Sequence, residues 1–300
     1  MKRGMELEIK EFTEYLAREK QASKNTQVSY GRDLSQMAEY LADNGILEPE
    51  KVTRTILNSY ILYLERAGRA STTISRVLAS VKAFFHYEFC QGRIPKDPAE
   101  LLKAPKVEKK APKILSVEQV TSLLDQPKGD SPKELRDKAM LELLYATGIR
   151  VSELISLKLE DVNLSVGFIT CKDQHKERTV PFGKVTRQAL ERYLAEARDA
   201  LLKGRESSRL FVNCSGGSMS RQGFWKIIKC YGEKAGIDVD ITPHTLRHSF
   251  AAHLISGGAD IHAVQAMMGH SDMSTTQAYT AYVQREDPVR VAYNIAHPRQ

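Results

Sequence analysis

The chain has 300 residues, of which 42% are hydrophobic and 27% are charged, so it can form two globular domains and is too apolar to be disordered. Its net charge of +7, spread over both halves, favours a polyanionic partner. The four cysteines lack CxxC spacing, which argues against a disulfide scaffold. The absence of an apolar run long enough for a bilayer argues against a membrane protein, and the absence of a signal-like N-terminus argues against a secreted one. We therefore expect a cytoplasmic protein.

The first third of the chain carries four apolar stripes at helical spacing, within residues 9–16, 28–41, 56–64 and 74–85, and such helices can bury a shared core. Ser71 is the expected N-cap of the fourth helix. Polar residues lie opposite the apolar stripe of that helix. They are candidates for DNA contact, although an ordinary solvated face has the same composition: Thr72, Thr73, Arg76 and Lys82.

A proline- and lysine-rich segment, KAPKVEKKAPK at residues 103–113, separates this helical region from the rest. Proline keeps such a segment extended and lysine keeps it soluble, so it is a linker that could also cross a phosphate backbone. We expect a helical domain over residues 1–104, a linker over 105–113 and a second domain over 114–300.

The second domain combines helical patterns with short strands. Ser116, Ser220 and Asp260 are expected N-caps, and Gly148 and Gly269 follow expected helix ends. Two strands around a polar turn are predicted within residues 167–182, a long amphipathic helix at 185–201 and a third strand at 209–212. A further helix, capped by Ser274, should carry Tyr279. The predicted fold class is mainly α with a small β-sheet.

The segment 242–282 holds the residues that best account for a chemical function: His244, Arg247, His270 and Tyr279. A guanidinium group can bind two phosphate oxygens, a histidine can move a proton near neutral pH, and a tyrosine hydroxyl can act as a nucleophile. A zinc site at His244 and His248 is disfavoured, because the interval lacks the glutamate base of a zinc hydrolase and contains an arginine. We expect no metal and no cofactor.

The motifs ATGIRVSEL, KERTVP, PHTLRHSFAAHLISGGAD and MMGHSDMSTTQAYT, in this order, resemble the tyrosine recombinase (phage integrase) family, and most closely its Xer-type members. The resemblance covers essentially the whole chain. It implies a helical N-terminal domain that grips DNA and a mixed α/β catalytic domain of the integrase type. It also implies site-specific cutting and rejoining of DNA through a 3′-phosphotyrosyl intermediate.

The resemblance further implies a role for each motif residue. Arg150 and Arg247 would hold the scissile phosphate, His270 would add a contact or move a proton, and Tyr279 would attack phosphorus. His244 would lie in the same pocket. A lysine in the strand turn would protonate the departing 5′-oxygen. The turn is one residue longer than the family's and lacks its glycine, so both Lys172 and Lys176 remain candidates, with Lys172 favoured.

The partners implied by the resemblance are a double-stranded DNA site with inverted half-sites and a tetramer, formed by this chain alone or with a related recombinase. A septal DNA translocase would be a further partner in chromosome dimer resolution, and no membrane is involved. Three alternatives remain: an integrase or invertase of a mobile element, a type IB topoisomerase, and a DNA-binding paralogue that does not cut. The last would not need the full set of catalytic residues.

Overall fold

The computed structural model describes residues 5–105, 112–172 and 177–269. Contacts between Cα atoms divide the chain into an N-terminal unit, Met1–Lys110, and a C-terminal unit, Ala111–Gln300. Within the described residues, no helix is both long enough and apolar enough to cross a lipid bilayer.

The N-terminal unit is helical. Its helices are α1 (Glu6–Arg18), α2 (Lys24–Asp43), α3 (Arg54–Arg66) and α4 (Ser71–Cys90). They bury most of the apolar stripes that the sequence predicted, around aromatic residues such as Phe12, Tyr60, Phe84 and Phe85, whereas Val28 and Tyr63 are exposed. The rings of Phe12 and Phe84 meet edge to face with centroids 5.7 Å apart, which joins α1 to α4. The predicted cap of α4 is wrong: Ala70 is the N-cap, and Ser71 is the first helical residue.

Along the chain of the C-terminal unit, helices come before and after a small sheet. Its helices are α5 (Val117–Leu124), α6 (Pro132–Thr147), α7 (Val151–Ser156), α8 (Lys184–Glu196), α9 (Arg198–Leu202), α10 (Arg221–Lys234), α11 (Pro243–Ser256) and α12 (Ile261–Met268). In the part of the chain that the structure describes, the sheet has three antiparallel strands in the order β1 (Val162–Asn163), β2 (Phe168–Lys172) and β3 (Glu177–Pro181). The predicted caps Ser116, Ser220 and Asp260 are confirmed.

Helix α6 lies at the centre of this unit. It is buried on nearly all sides and includes a charged pair in the core. The Arg136 guanidinium donates to Asp137 Oδ1 at 2.7 Å and to the Val212 carbonyl at 3.2 Å. The Tyr231 hydroxyl of α10 donates to Asp137 Oδ2 at 3.1 Å. Buried polar groups need such partners, and these contacts tie α6 to α10 and to the segment around Val212.

The structure differs from the sequence prediction at the long helix and the third strand. The helix predicted at 185–201 breaks at Ala197, and residues 209–212 form isolated bridge pairs, with β1 supplying the third strand. The difference at residues 209–212 involves one buried side chain. The buried Arg198 guanidinium donates to the carbonyls of Ser207 at 2.6 Å, Arg209 at 2.7 Å and Leu210 at 3.3 Å. These carbonyls are therefore satisfied by a side chain instead of a neighbouring strand.

The replacement Phe84→Ala should lower the free energy of unfolding by about 3–5 kcal/mol, because it removes a fully buried ring at the centre of the N-terminal core. Urea denaturation of the full chain, followed by circular dichroism, measures this loss. The matched control is Phe89→Ala on the same helix. The Phe89 ring is 45% exposed, so its removal should cost far less. Equal losses in both variants would contradict the core described above.

Candidate active site

Helix α11 places Arg247 in the interior of the C-terminal unit. Thr242 caps the helix through a capping box with Thr245, and Pro243 occupies the first turn, where a missing N–H is tolerated. The Arg247 side chain, one turn further on, is 5% exposed. Its guanidinium donates to the carbonyl of Gly148 and, at 2.6 Å, to that of Met268. Two carbonyls from different elements therefore fix the position of this buried charge.

Arg150 approaches the same point from the start of α7. Gly148 ends α6 in the left-handed conformation with φ +58°, and an added Cβ would lie 2.1 Å from the ring of Phe250, so the turn requires glycine. The Arg150 backbone N–H donates to Glu153 at 2.7 Å, and its guanidinium donates to the Gly269 carbonyl at 2.6 Å. The side chain is 38% exposed, which leaves it accessible to a ligand.

Two residues that the motif reasoning did not assign complete this arrangement. Arg178 of β3 makes a bidentate ion pair with Glu153, at 2.8 and 2.9 Å, and its Nε donates to the Met267 carbonyl at 2.9 Å. Burial acts to raise the pKa of Glu153, but hydrogen bonds from Arg178 and from the Arg150 backbone, together with both positive charges, bring it below its ordinary value. Glu153 is therefore a carboxylate that orients both arginines. The KERTVP motif contained the signal for Arg178.

The C-terminal end of α12 is where the three arginines meet. Arg178, Arg247 and Arg150 donate to the successive carbonyls of Met267, Met268 and Gly269. The last carbonyls of a helix lack partners within the helix and carry partial negative charge, so they suit guanidinium groups. Gly269 has φ +63°, and a Cβ there would lie 2.8 Å from the Arg178 guanidinium. The chain continues from this point to residue 270.

His270 and Tyr279, the expected proton-transfer residue and nucleophile, lie outside the described residues, as do Tyr282 and the helix predicted after Ser274. Their roles therefore remain predictions. Gly269, the last described residue, accepts a hydrogen bond from the Arg150 guanidinium through its carbonyl.

The histidines of α11 differ in their surroundings. His244 is exposed, and its ring lies 6.3 Å from that of His248, measured between centroids. Burial, with the charges of His244 and Arg247, lowers the pKa of His248 to about 4, so this imidazole is neutral at pH 7. His253 bonds the Tyr145 hydroxyl at 2.8 Å and the Leu115 carbonyl at 2.9 Å.

Helix α11 also holds the start of the C-terminal unit. The Leu115 backbone N–H donates to the Ser249 hydroxyl at 2.9 Å, and the Leu115 carbonyl is bound by His253. Both polar groups of one residue beside the predicted linker are thus attached to the helix that carries Arg247.

Lys172 is the last residue of β2, and its ammonium group donates to Asp161 Oδ1 at 2.9 Å. The hydrogen bond and the charge of Asp161 raise the pKa of Lys172. Lys172 and Glu153 line a common cleft of about 150 Å³, which places the lysine on the same side of the unit as the carboxylate that orients the arginines. Lys176, the other candidate, lies outside the described residues.

The candidate DNA-contacting residues on α4 lie on one side of that helix, opposite its buried stripe. Thr72 is exposed and Thr73 half-buried. The Arg76 guanidinium forms an ion pair with the buried Asp33 of α2, and Lys82 donates to the Glu100 carbonyl at 3.1 Å. Both cations thus have partners inside the N-terminal unit, and DNA contact by this face remains a prediction.

The described residues contain no group of three or more His, Cys, Asp or Glu side chains placed to hold a metal ion. Asp238 and Asp240, two acids close together in sequence, are both exposed.

Acidification should destabilise the C-terminal unit through His248. Its pKa is lower folded than unfolded, so the unfolded chain binds more protons between pH 6.5 and about 4, and stability falls as pH falls through that window. From pH 7 to pH 5 this contribution is about 2 kcal/mol. In urea denaturation, the free energy of unfolding of His248→Gln should fall less between pH 7 and pH 5 than that of the wild type, by about this amount. His262→Gln, which changes an exposed histidine of α12, is the control and should follow the wild type.

Known proteins resemble this chain over nearly its whole length. Residues 113–286 match the phage integrase family, and residues 9–92 match the phage integrase N-terminal SAM-like domain. The chain is 44% identical over 293 residues to the tyrosine recombinase XerD of Halalkalibacterium halodurans, covering 97% of each protein. It is 40% identical over 294 residues to that of Listeria monocytogenes, covering 97% of this chain and 98% of the relative.

Solved structures share the fold. A crystal structure of the site-specific recombinase XerH bound to palindromic difH substrate in a post-cleavage complex has a TM-score of 0.74 at 21% identity, covering 92% of this chain and 81% of that one. A lambda integrase dimer bound to a core site has a TM-score of 0.70 at 15% identity, covering 91% and 93%. The matches to both domains and the identity to XerD proteins along nearly the whole chain show that it belongs to the phage integrase family as a Xer-type tyrosine recombinase, an enzyme of site-specific DNA recombination.

Proposed function

We propose that this recombinase cuts and rejoins a short duplex DNA site through a 3′-phosphotyrosyl link to Tyr279, and that it resolves chromosome dimers. The observation that carries the proposal is the convergence of Arg150 and Arg247 at the end of α12. Two guanidinium groups held in fixed orientation can stabilise the charge that develops on the oxygens of an attacked phosphate, without reorganising during the reaction.

The proposed reaction conserves one phosphoester bond. The Tyr279 oxygen bonds to phosphorus, the bond from phosphorus to the 5′-oxygen breaks, and its electron pair stays on that oxygen. Lys172 supplies a proton to the 5′-oxygen, His270 takes the proton of the tyrosine, and His244 contacts the phosphate. Because the phosphotyrosyl link replaces a link of the same kind, a 5′-hydroxyl of another strand can reverse the step without ATP.

Lys172 is proposed over Lys176 as the proton donor. Its position at the end of β2 and its place in the cleft that also contains Glu153 support this choice. A protonated amine is required for a general acid, and the neighbouring carboxylate of Asp161 favours that form of Lys172.

The remaining proposals concern domains, partners and location. Residues 1–104 form a DNA-gripping domain, 105–113 a linker and 114–300 the catalytic domain. Thr72, Thr73, Arg76 and Lys82 contact the DNA backbone. The active assembly is a tetramer on two DNA duplexes, each with a site of two inverted half-sites. The tetramer is made by this chain alone or with a related recombinase, and a septal DNA translocase activates it in the cytoplasm. Support for DNA binding comes from solved relatives that carry DNA, such as XerH on difH.

Tyr279→Phe should abolish the covalent protein–DNA adduct, because it removes the proposed nucleophilic oxygen, while DNA binding stays intact. The measurement incubates protein with a nicked suicide duplex of its site, separates adducts on a denaturing gel and follows binding by a mobility-shift assay. Tyr282→Phe, a tyrosine three residues on, is the matched control and should retain the adduct. An adduct that persists in Tyr279→Phe and disappears in Tyr282→Phe would reassign the nucleophile.

Arg247→Ala should slow adduct formation by about a hundredfold or more, because each positioned donor on a developing phosphate charge contributes on this scale. The affinity for the intact site should change much less, since many other contacts bind the DNA backbone. Single-turnover rates at saturating protein separate the two effects. Arg205→Ala is the matched control, as an exposed arginine that donates to the Ser215 carbonyl away from the proposed site. A rate loss no larger than the affinity loss would refute the proposed role of Arg247.

A further inference from the structure

Asp161 is built into the fold beside Lys172. It ends the 3₁₀ turn Leu159–Asp161 immediately before β1, and its Oδ2 accepts the Lys158 backbone N–H at 2.9 Å. Val162 of β1 pairs with Ile169 of β2. Extending this register by one residue sets Asp161 beside Thr170, whose side chain lies on the same face of β2 as that of Lys172. The sheet register therefore brings the carboxylate to the lysine.

The contact between the two side chains is direct. Lys172 Nζ lies 2.9 Å from Asp161 Oδ1, with the lysine side chain 55% exposed and the aspartate side chain 10% exposed. The carboxylate is thus held in place by the turn and largely shielded, whereas the lysine extends over it from the solvent side. A long lysine chain can exchange such a partner for another anion at low cost, because a partly exposed ion pair is weak.

We infer that Asp161 is a positioning residue that holds the ammonium group of Lys172 in reserve until the scissile phosphate of the DNA competes for it. The inference rests on the proposed role of Lys172 as proton donor to the 5′-oxygen. While it is bound to Asp161, the ammonium group cannot donate that proton, so the ion pair reduces the fraction of protein that is ready to cleave.

Other charges near the pair contribute less. Glu177, the β3 partner of Lys172, and Glu160 both favour the protonated lysine, and Lys158 lies beside Asp161. Glu160 itself binds Lys158 Nζ at 3.0 Å. Asp161 is the largest influence on the pKa of Lys172, which it raises, so the reserved lysine stays protonated.

The test replaces the charge of Asp161 and keeps its backbone contact. Asn and Ser both accept a backbone N–H as Asp does, so Asp161→Asn and Asp161→Ser should fold and cap the turn. With either variant, single-turnover adduct formation on a suicide duplex should be about two- to fivefold faster than in the wild type, the range that release of a partly exposed ion pair allows. Glu160→Gln removes the same charge one residue away and should leave the rate near the wild-type value.

A second substrate separates this effect from a general structural one. In a duplex with a bridging 5′-phosphorothiolate at the scissile position, the leaving sulfur needs no proton, so Asp161→Asn should give no acceleration. In a Lys172→Ala background, Asp161→Asn should likewise leave the rate unchanged on the ordinary duplex, because the lysine it would release is missing.

The outcomes are distinct. Slower or unchanged cleavage by both Asp161 variants, or an acceleration that persists with the phosphorothiolate or without Lys172, overturns the inference. If Lys172→Ala slows cleavage of the ordinary duplex only, the proposed proton donor stands whatever the Asp161 variants show. If Lys172→Ala slows both duplexes equally, the proposed role of Lys172 fails, and the inference about Asp161 fails with it.

Discussion

The binding of three guanidinium groups by the last carbonyls of α12 is the interaction on which the candidate site depends. Arg178 comes from a strand, Arg150 from the start of one helix and Arg247 from the middle of another. Positive side chains lie close together only where negative groups compensate their charges. Here the Glu153 carboxylate and the C-terminal end of α12 compensate them. The same contacts that neutralise the arginines hold four elements of the fold together. One set of hydrogen bonds therefore joins these elements and positions the arginines of the candidate site.

In the N-terminal unit, an arginine is paired with a buried carboxylate and not with the end of a helix. There Arg76, on the face that was expected to meet DNA, is bound to a buried carboxylate, Asp33. Burial is the largest influence on Asp33 and raises its pKa despite the nearby arginine. The arginine thus compensates a buried acid as well as lining an exposed face. Its contribution to DNA binding is proposed for the part of its side chain that remains accessible, which is 43% exposed.

The sequence was sufficient for most helices because their signals are local. Ser116, Ser220 and Asp260 each cap the helix that follows them, and Gly148 ends one in the conformation that glycine adopts readily. Arg150 and Arg247 were identified through motifs, and the structure brings them together. Periodicity could not reveal that Arg198 satisfies the carbonyls of Ser207, Arg209 and Leu210, because that contact joins separate segments through a side chain. Asp161 was missed for the same reason: it lies eleven positions from Lys172 and becomes its neighbour through sheet register.

The attachment of Leu115 to α11 has a mechanical consequence. Its N–H is held by Ser249 and its carbonyl by His253, within two turns of Arg247 on the same helix. A displacement of Leu115 would therefore strain two hydrogen bonds to α11. The entry of the chain into the C-terminal unit is therefore fixed relative to the helix that carries Arg247.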